Sequence, residues 1–366
     1  MLTVDLDAVA ENYRSLRGVL NGAECGAVVK ADSYGLGMAQ VSRRLAAEGC
    51  RSFFVSCIDE AIRLRDILQP GNATIHVFDG LPPGAEQLFD QYALSPVLGD
   101  LDQIARWAAH GRAHGGRSAV IKIDTGMARL GLTEAEVNVL AAEPERLDGL
   151  TLDYVMSHLS CADEDGNQMN AAQLTTFQTL RAKLPNAKAS LANSAGISLG
   201  AEYHFDLVRP GAALYGILNA PNQSSAMKQV VNLKGKILRL RDVDSNQTVG
   251  YGASHQVTKG RRLATVAIGY ADGYSRSLGN RATGFVGSKK VSLVGRVSMD
   301  LITFDVTGAP DEFLTPDGPG CPGGNVELIG PGHGVDDLAR EAGTIGYEIL
   351  SGLGPRVHRV YLGEAD

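Results

Sequence analysis

The stretch Ala27-Val28-Val29-Lys30-Ala31-Asp32-Ser33-Tyr34-Gly35-Leu36-Gly37 begins with a short apolar run that ends in a lysine. β-Branched residues favour strands, and a charged side chain at the end of a buried strand is costly to desolvate unless it is paired or has reacted. Burial also disfavours the protonated form of an amine and so frees it for attack on a carbonyl group. Lys30 is therefore a candidate Schiff-base lysine.

Seven further β-rich runs follow this one, with helix-like stretches between them. The eight predicted strands are Val28-Val29, Phe53–Ser56, Thr74–Phe78, Leu94–Val97, Ala119–Ile123, Leu152–Ser157, Ala189–Ala192 and Phe205–Val208. Regular alternation of strand and helix is typical of α/β proteins with a parallel sheet. Eight such units predict a (β/α)8 TIM barrel, which we assign to residues 1–228.

From Gln229 onward the helical periodicity gives way to successive short strands. These are predicted at Gly235–Val243, Arg262–Ile268, Lys290–Val297, Leu301–Val306 and Val326–Ile329, with one helix at Val335–Ala342. The Gly- and Pro-rich run Gly308–Asn325 reads as a surface loop to which no role is assigned. The second predicted domain, residues 229–366, is therefore a C-terminal all-β domain.

Composition excludes several classes of function. The chain has 366 residues, of which 44% are hydrophobic, and its formal charge of −7 is the opposite of a basic nucleic-acid-binding footprint. No apolar run approaches the ~18 residues of a membrane span, and the N-terminus lacks the pattern of a signal peptide. The five cysteines are scattered and form no CxxC pair. We therefore expect a cytoplasmic protein without nucleic-acid or membrane partners.

Polar residues stand just past several of the predicted barrel strands. They are Lys30, Lys122 with Asp124, His158, Asn193 with Ser194, and Arg209. Reactive groups of (β/α)8 barrels lie at the C-terminal ends of strands, so these residues are catalytic candidates. A structural histidine and a strand-capping arginine are the alternative interpretations of His158 and Arg209. His158 and Cys161 lack further ligands at a metal-site spacing, so we expect no metal.

The stretch 27–37 resembles the pyridoxal-phosphate lysine motif of alanine racemases. Further blocks resemble the same family, in the family's order: Lys122-Ile123-Asp124-Thr125-Gly126-Met127-Ala128-Arg129-Leu130-Gly131, Ser157-His158-Leu159, Asn193-Ser194-Ala195, Arg209-Pro210-Gly211, Gly250-Tyr251-Gly252-Ala253, Ile268-Gly269-Tyr270-Ala271-Asp272-Gly273, Ser298-Met299-Asp300 and Gly346-Tyr347-Glu348. The resemblance covers nearly the whole chain. It implies an enzyme that interconverts L-alanine and D-alanine with pyridoxal 5'-phosphate (PLP) as cofactor.

The resemblance also implies catalytic roles. Lys30 would hold PLP through a Schiff base and act as the base on one face of the substrate. Tyr251 would be the second base and would reach the active site of the partner subunit, which implies a homodimer. Arg209 would face the pyridine nitrogen of PLP and keep it unprotonated, which favours racemisation over other PLP reactions. His158 would hydrogen-bond both Tyr251 and Arg209.

Binding roles are implied by the resemblance in the same way. The implied cofactor-binding residues are Lys30, Tyr34, His158, Asn193, Ser194, Arg209, Gly211, Ala212 and Tyr347. The implied substrate-binding residues are Arg129, Met299 and Asp300, with Lys122 carbamylated beside Arg129. The implied entrance residues are Tyr270, Asp163, Arg276 and Arg296, and ordinary surface pairing is the alternative for the last three.

Three rivals share parts of this pattern, and a metal-dependent or phosphate-binding barrel is a more distant fourth. A racemase of broader amino-acid specificity usually carries a signal peptide and lacks the carbamylated lysine. A decarboxylase of the same fold should present a carboxylate to the pyridine nitrogen instead of Arg209. A non-catalytic PLP-binding protein should lack the β domain that carries Tyr251. Supply of D-alanine to cell-wall peptidoglycan and degradation of D-alanine use the same residues, so both roles stay open.

Overall fold

The computed structural model describes residues 1–69, 73–218, 227–314 and 324–363. The strands in chain order are β1 (Leu2–Asp5), β2 (Glu24–Cys25), β3 (Ala27–Val28), β4 (Ser52–Val55), β5 (Thr74–Val77), β6 (Leu94–Leu98), β7 (Arg117–Lys122), β8 (Leu150–Met156), β9 (Lys188–Ser190), β10 (Leu207–Val208), β11 (Val231–Asp242), β12 (Gln247–Val249), β13 (His255–Val257), β14 (Arg262–Ala267), β15 (Thr283–Val286), β16 (Lys289–Leu293), β17 (Leu301–Asp305), β18 (Asn325–Ile329) and β19 (Arg359–Leu362).

The helices are α1 (Leu6–Gly18), α2 (Lys30–Tyr34, a left-handed turn), α3 (Met38–Ala47), α4 (Ile58–Leu68), α5 (Glu86–Gln91), α6 (Leu101–Ala113), α7 (Glu134–Ala142), α8 (Gln168–Arg181), α9 (Val335–Ala342) and α10 (Gly346–Ser351). No helix in these described ranges is both long and apolar enough to cross a bilayer. The chain divides into two units, one of Val9–Ser33 with Gly37–Lys228, and one of Met1–Ala8, Tyr34–Leu36 and Gln229–Asp366.

The first unit is the predicted parallel barrel. Strands β3 to β9 pair in sequence order, and every pair is parallel. Strand β10 pairs in parallel with β2, which leads into β3. The Arg209 N–H donates to the Ala192 carbonyl at 2.9 Å, and the Val28 N–H donates to the Pro210 carbonyl at 2.9 Å. These bonds place β10 between the two ends of the sheet, so the prediction of a (β/α)8 barrel is confirmed.

Local sequence explains the barrel helices. Asp100 caps α6 by accepting from the Gln103 N–H, and Thr133 forms a capping box with Glu136 at the start of α7. Completely buried side chains such as Phe54, whose ring stacks on that of His76 with centroids 4.7 Å apart, fill the barrel. The apolar runs of the sequence therefore become strands because both of their faces are covered.

The second unit is built on an antiparallel sheet in the order β14-β17-β16-β15-β18-β11-β1-β19. An additional pairing of β14 with β11 closes six of these strands into a barrel. The hairpin β12–β13 stands apart from this sheet and carries the turn Tyr251–Ala253. The predicted all-β domain is therefore confirmed, and the predicted helix Val335–Ala342 has the bounds of α9.

Some sequence-based boundaries differ from the structure. Residues Met1–Ala8, predicted within the barrel, belong to the β unit because β1 pairs with β11 and β19. The strand predicted at Lys290–Val297 ends at Leu293, since Gly295 has a φ of +83° that breaks the extended chain. Residues 315–323 of the predicted loop Gly308–Asn325 lie outside the described residues.

Candidate active site

The ends of the barrel strands bring together a cluster of basic side chains, which we call the basic cluster. It consists of Lys30, which follows β3 after one residue, Lys122 at the end of β7, Arg129 in the loop that follows, and Arg209 just past β10. Burial and the positive charges of Arg209, Arg129 and Lys30 lower the pKa of Lys122 to about 8. The predicted residues of the barrel strands therefore share one electrostatic environment.

His158 lies just past β8 and adds a neutral group to this environment. Burial, with the nearby charges of Arg209, Lys122 and other cluster members, lowers the pKa of His158 to about 3. Its imidazole is therefore neutral at physiological pH, with one ring nitrogen as a donor and the other as an acceptor.

Arg209 is buried among neutral oxygen atoms. Its guanidinium donates to the Ser190 hydroxyl, to the Ser157 carbonyl at 2.6 Å and to the Leu191 carbonyl at 3.3 Å. Burial lowers the pKa of Arg209 to about 9. Within the described ranges no carboxylate pairs with it, and its hydrogen bonds do not include the implied one to the His158 ring.

The Asp124 carboxylate lies near the basic cluster, where it acts to raise the pKa of Lys122. Its oxygens accept from the backbone N–H groups of Gly126, Met127 and Ala128, each at 2.9 Å. Asp124 thus orders the loop that carries Arg129, but it leaves the cluster with an excess of positive charge. Anionic groups such as a phosphate or a carboxylate fit this excess, because buried charges are stable only when they are paired.

The segments after β9 and β10 offer polar groups to an anion. The Ser194 hydroxyl accepts from the N–H groups of Gly211 and Ala213 at 2.9 and 3.2 Å, and the Asn193 side chain accepts from the Gly196 N–H at 2.9 Å. The Ala212 N–H makes no hydrogen bond within the described part of the chain. These groups fit the phosphate-binding role that the sequence implied for Ser194, Gly211 and Ala212.

An unusual turn follows the candidate Schiff-base lysine. The four residues Ala31 to Tyr34 have φ between 52° and 56°, a left-handed conformation that costs non-glycine residues roughly 1–2 kcal/mol each. Glu60 of α4 accepts from the Ala31 N–H at 2.6 Å and from the Ser56 N–H at 2.8 Å. This carboxylate therefore fastens the strained turn to the end of β4.

The β unit carries the other predicted residues. Tyr251 is 72% exposed at the tip of the β12–β13 hairpin. A Cβ atom at Gly252 would lie 3.0 Å from the Arg296 guanidinium, so Arg296 lies directly against this turn. The Tyr270 N–H donates to the Ser298 carbonyl at 3.1 Å, which brings Tyr270 beside the exposed Met299.

Four more predicted residues have defined surroundings. Asp300 pairs with Arg356 at 2.8 Å. The rings of Tyr34 and Tyr347 lie 5.7 Å apart, and burial beside Tyr347 raises the pKa of Tyr34, so its hydroxyl stays protonated. Arg276 begins a 3-10 turn next to α9. In the barrel unit, Asp163 is exposed between β8 and α8.

Comparisons with known proteins agree with this arrangement. The family model "Alanine racemase, N-terminal domain" matches residues 4–219, and "Alanine racemase, C-terminal domain" matches residues 230–361. The chain belongs to the alanine racemase family. It is therefore an enzyme of the isomerase class, an amino-acid racemase.

Two relatives and two solved structures illustrate the match. The chain is 48% identical to an alanine racemase of Rhodospirillum rubrum, covering 99% of this chain and 96% of that one, and 46% identical to a catabolic alanine racemase of Mesorhizobium japonicum, covering 99% and 93%. The Bartonella henselae alanine racemase, solved with covalently bound pyridoxal phosphate, superposes with a TM-score of 0.92 at 37% identity over 99% of each chain. The biosynthetic enzyme of Pseudomonas aeruginosa gives 0.86 at 33% identity, again over 99% of each chain.

Sequence reasoning missed two polar residues beside the candidate site. Glu60 holds the turn after Lys30, as described above. Gln173 of α8 is completely buried and donates to the His158 carbonyl at 3.0 Å and to the Thr125 hydroxyl at 3.1 Å. Both are polar residues on amphipathic helices, where a surface position is the ordinary expectation, so the sequence carried no local signal for either.

Replacement of Glu60 should weaken the barrel by releasing the left-handed turn. We expect Glu60→Ala to lower the free energy of unfolding by about 1–3 kcal/mol, because two backbone donors lose a charged acceptor. Glu60→Gln should fall between wild type and alanine, since its amide offers one acceptor oxygen. The measurement is urea unfolding followed by the fluorescence of Trp107, the one tryptophan of the chain.

The control is Asp59→Ala, which removes an exposed carboxylate from the neighbouring position of the same helix. This change should stay within about 0.5 kcal/mol of wild type. Equal stability of Glu60→Ala and Asp59→Ala would show that the turn does not depend on Glu60.

Proposed function

We propose that the chain interconverts L-alanine and D-alanine with PLP as its cofactor. The observation that carries this proposal is Arg209, which is buried against neutral oxygens and offers hydrogen-bond donors but no acceptor. A decarboxylase of the same fold would need a carboxylate in this place. The β unit with its exposed Tyr251 argues against a barrel that only carries PLP.

The residues present fit PLP by their charge and by their chemistry. Lys30 would hold the cofactor covalently, and Arg209 would donate a hydrogen bond to its pyridine nitrogen. The phosphate would be bound by Ser194 and the Gly211–Ala212 segment, together with Tyr34, Tyr347, Asn193 and His158. When bound, PLP withdraws electron density from the α-carbon of the substrate, which makes its α-proton removable.

The residues of the chain then move and hold protons. The Lys30 amine takes or returns the α-proton on one face, and the Tyr251 hydroxyl does so on the other. Arg209 remains a hydrogen-bond donor near neutral pH, because its pKa, although lowered by burial to about 9, lies above physiological pH. His158 stays neutral, because its pKa is about 3. It would therefore orient the Tyr251 hydroxyl without adding positive charge to the site.

Substrate recognition follows from the remaining predicted residues. Arg129 and the Met299 backbone, with Asp300 nearby in sequence, would bind the alanine carboxylate, because a guanidinium matches a carboxylate in charge and shape. Tyr270, Asp163, Arg276 and Arg296 would line the entrance. Crowding by Tyr251 and Tyr347 would favour a small side chain on the substrate.

L-Alanine incubated with the enzyme in heavy water tests the activity. We expect D-alanine that carries deuterium at the α-carbon, because the proton returned to the substrate has exchanged with solvent. Tyr251→Phe should lower the rate by roughly 10²–10⁴-fold, the usual contribution of a general acid or base, and leave the absorbance of bound PLP unchanged. Chiral chromatography with mass detection measures both.

Tyr361→Phe is the matched control, since it removes a hydroxyl from the same unit at a residue with no proposed catalytic role. Unconverted, deuterium-free L-alanine in the wild type would contradict the alanine assignment. Full activity of Tyr251→Phe in both directions would remove Tyr251 as a base.

Lys122 is proposed to react with carbon dioxide. Its pKa of about 8 leaves a substantial fraction of neutral amine near pH 7.5. The neutral amine adds to carbon dioxide and loses one proton, which leaves an N-carboxylate of charge −1. This anion would offset the excess charge of the basic cluster and hold Arg129 in place for the substrate.

Labelled bicarbonate tests this modification. In ¹³C NMR spectra we expect a protein-bound carbamate signal that is absent from Lys122→Met and still present in Lys183→Met, a control at a lysine outside the cluster. Because the unmodified Lys122 has a lowered pKa, the unfolded chain binds more protons between pH 8 and the usual lysine value. In buffer free of carbon dioxide the unfolding free energy should therefore rise with pH in that window, and Lys122→Met should flatten the rise. A labelled signal that persists in Lys122→Met would contradict the proposal.

The active enzyme is proposed to be a homodimer with shared sites. Tyr251, Tyr270 and Met299 are large side chains that are 72%, 43% and 52% exposed on the β unit, as expected of residues that contact another subunit. Tyr251 of one subunit would then complete the site built around Lys30 of the other.

Mixing two inactive variants tests this arrangement. Lys30→Ala and Tyr251→Phe, unfolded together and refolded, should regain about a quarter of wild-type activity, because half of the dimers are mixed and each contains one intact site. Activity is measured against each variant refolded alone. No recovery, with dimers present by analytical ultracentrifugation, would place Lys30 and Tyr251 of one site in the same subunit.

A further inference from the structure

The opposite end of the barrel contains a second polar cavity, which we call the N-terminal cavity. Its volume is about 760 Å³, and all of its lining residues belong to the barrel unit. Glu24, Arg51 and Lys188 lie at or just before the starts of β2, β4 and β9. Because parallel strands all run the same way, this cavity lies one strand length, roughly 15 Å, from the basic cluster at the strand ends.

Six charged side chains line the N-terminal cavity, and none of them forms an ion pair with another described residue. The carboxylates are Glu24, Asp153 and Asp206, and the cations are Arg51, Arg181 and Lys188. Within the described ranges no carboxylate oxygen lies within 4.0 Å of a nitrogen of these three cations. Equal numbers of both signs thus surround one space without direct ion pairs, although Lys188 acts on the Asp153 carboxylate through space.

The carboxylates are held in place by neutral donors. Glu24 accepts from the Ser52 hydroxyl at 2.5 Å and from the Tyr154 hydroxyl at 3.1 Å, and Asp206 accepts from the Ala189 N–H at 2.7 Å. Lys188 is held by the ring of Tyr154, whose centroid lies 5.9 Å from its ammonium nitrogen. The charges are therefore positioned by the barrel and not by each other.

His76 of β5 lines the same cavity from the interior of the barrel. It is 1% exposed, and neither of its ring nitrogens has a hydrogen-bond partner in the described part of the chain. Buried polar groups are nearly always satisfied, so this imidazole marks a place for a polar partner that the protein itself does not supply.

We infer that the N-terminal cavity binds a small zwitterion, of the size of an amino acid or a dipeptide. Its ammonium group would face the carboxylates Glu24, Asp153 and Asp206, and its carboxylate would face Arg181 and Lys188. A purely anionic or cationic ligand would meet as many repulsive charges as attractive ones, whereas a zwitterion pairs with both signs. The inference is independent of the chemistry at the other end of the barrel.

Calorimetric titration of the PLP-loaded enzyme with glycylglycine tests the inference. This probe carries both charges and has no stereocentre, so it cannot be racemised. We expect saturable binding that weakens at least about tenfold in Lys188→Gln and in Asp153→Asn, with the rate of alanine racemisation unchanged in both. N-Acetylglycine, which lacks the ammonium group, and glycinamide, which lacks the carboxylate, should each bind at least about tenfold more weakly than glycylglycine.

Lys183→Gln is the matched control, because it removes a nearby lysine that does not line the cavity, and it should bind glycylglycine as wild type does. Lys188 is exposed, so its replacement should not affect folding. Absence of saturable binding, or equal binding by wild type, Lys188→Gln and Asp153→Asn, would overturn the inference. If glycylglycine binding is lost only in Arg129→Lys, the heat of binding comes from the basic cluster and not from the N-terminal cavity. That result would also overturn the inference.

Discussion

Burial of the Arg209 guanidinium without a carboxylate partner constrains the whole C-terminal end of the barrel. Its hydrogen bonds to Ser157, Ser190 and Leu191 tie β10 to the ends of β8 and β9. Its charge contributes to the lowered pKa values of both Lys122 and His158. Burial, which is the larger cause of both shifts, and the Arg209 charge therefore leave a neutral histidine and a lysine that loses its proton near pH 8. The resulting surplus of positive charge suits a site for a phosphate and a carboxylate.

The turn after Lys30 adds a conformational constraint to the electrostatic one. Four successive residues other than glycine rarely adopt the left-handed conformation. Strain of this kind persists only where surrounding contacts hold the backbone in place. Glu60 supplies such contacts from α4, and the Asp32 carboxylate accepts from the Met38 N–H at 2.9 Å on the far side of the turn. The position of the Lys30 backbone is therefore fixed from both sides, which would suit the covalent attachment proposed for this lysine.

Much of this architecture could be predicted from the sequence, because each barrel strand is a contiguous apolar segment that can be recognised without knowing its partners. All eight barrel strands were predicted, and so were the polar residues at their ends. By contrast, β1 was not predicted, since Leu2 pairs with Leu233 and Arg359, and no local pattern shows such distant partners. The short β12 and β13 were missed because three-residue strands have too few residues to establish a periodicity.

The same reasoning explains which site residues were found. Lys30 and Arg209 were conspicuous because each interrupts an apolar run with a charge. Gln173 and Glu60 act through backbone groups of distant segments, and their helices place them among ordinary polar residues. A residue whose role is to satisfy another segment's backbone has no sequence signature of its own. The family resemblance did not supply them either, because it rests on the motifs that carry the chemistry.

The groups around Arg209 on the side of the N-terminal cavity are polar but uncharged, and this follows from the role proposed for it. Ser190 accepts one of its hydrogen bonds, and burial together with the charge of Arg209 lowers the pKa of His76 to about 3. A carboxylate in place of either would pair with Arg209 and draw its donors away from the cofactor, whereas a cation would be repelled. A neutral imidazole avoids both outcomes and still provides a donor and an acceptor. The barrel can therefore hold charged groups at its two ends because the residue between them titrates far below physiological pH.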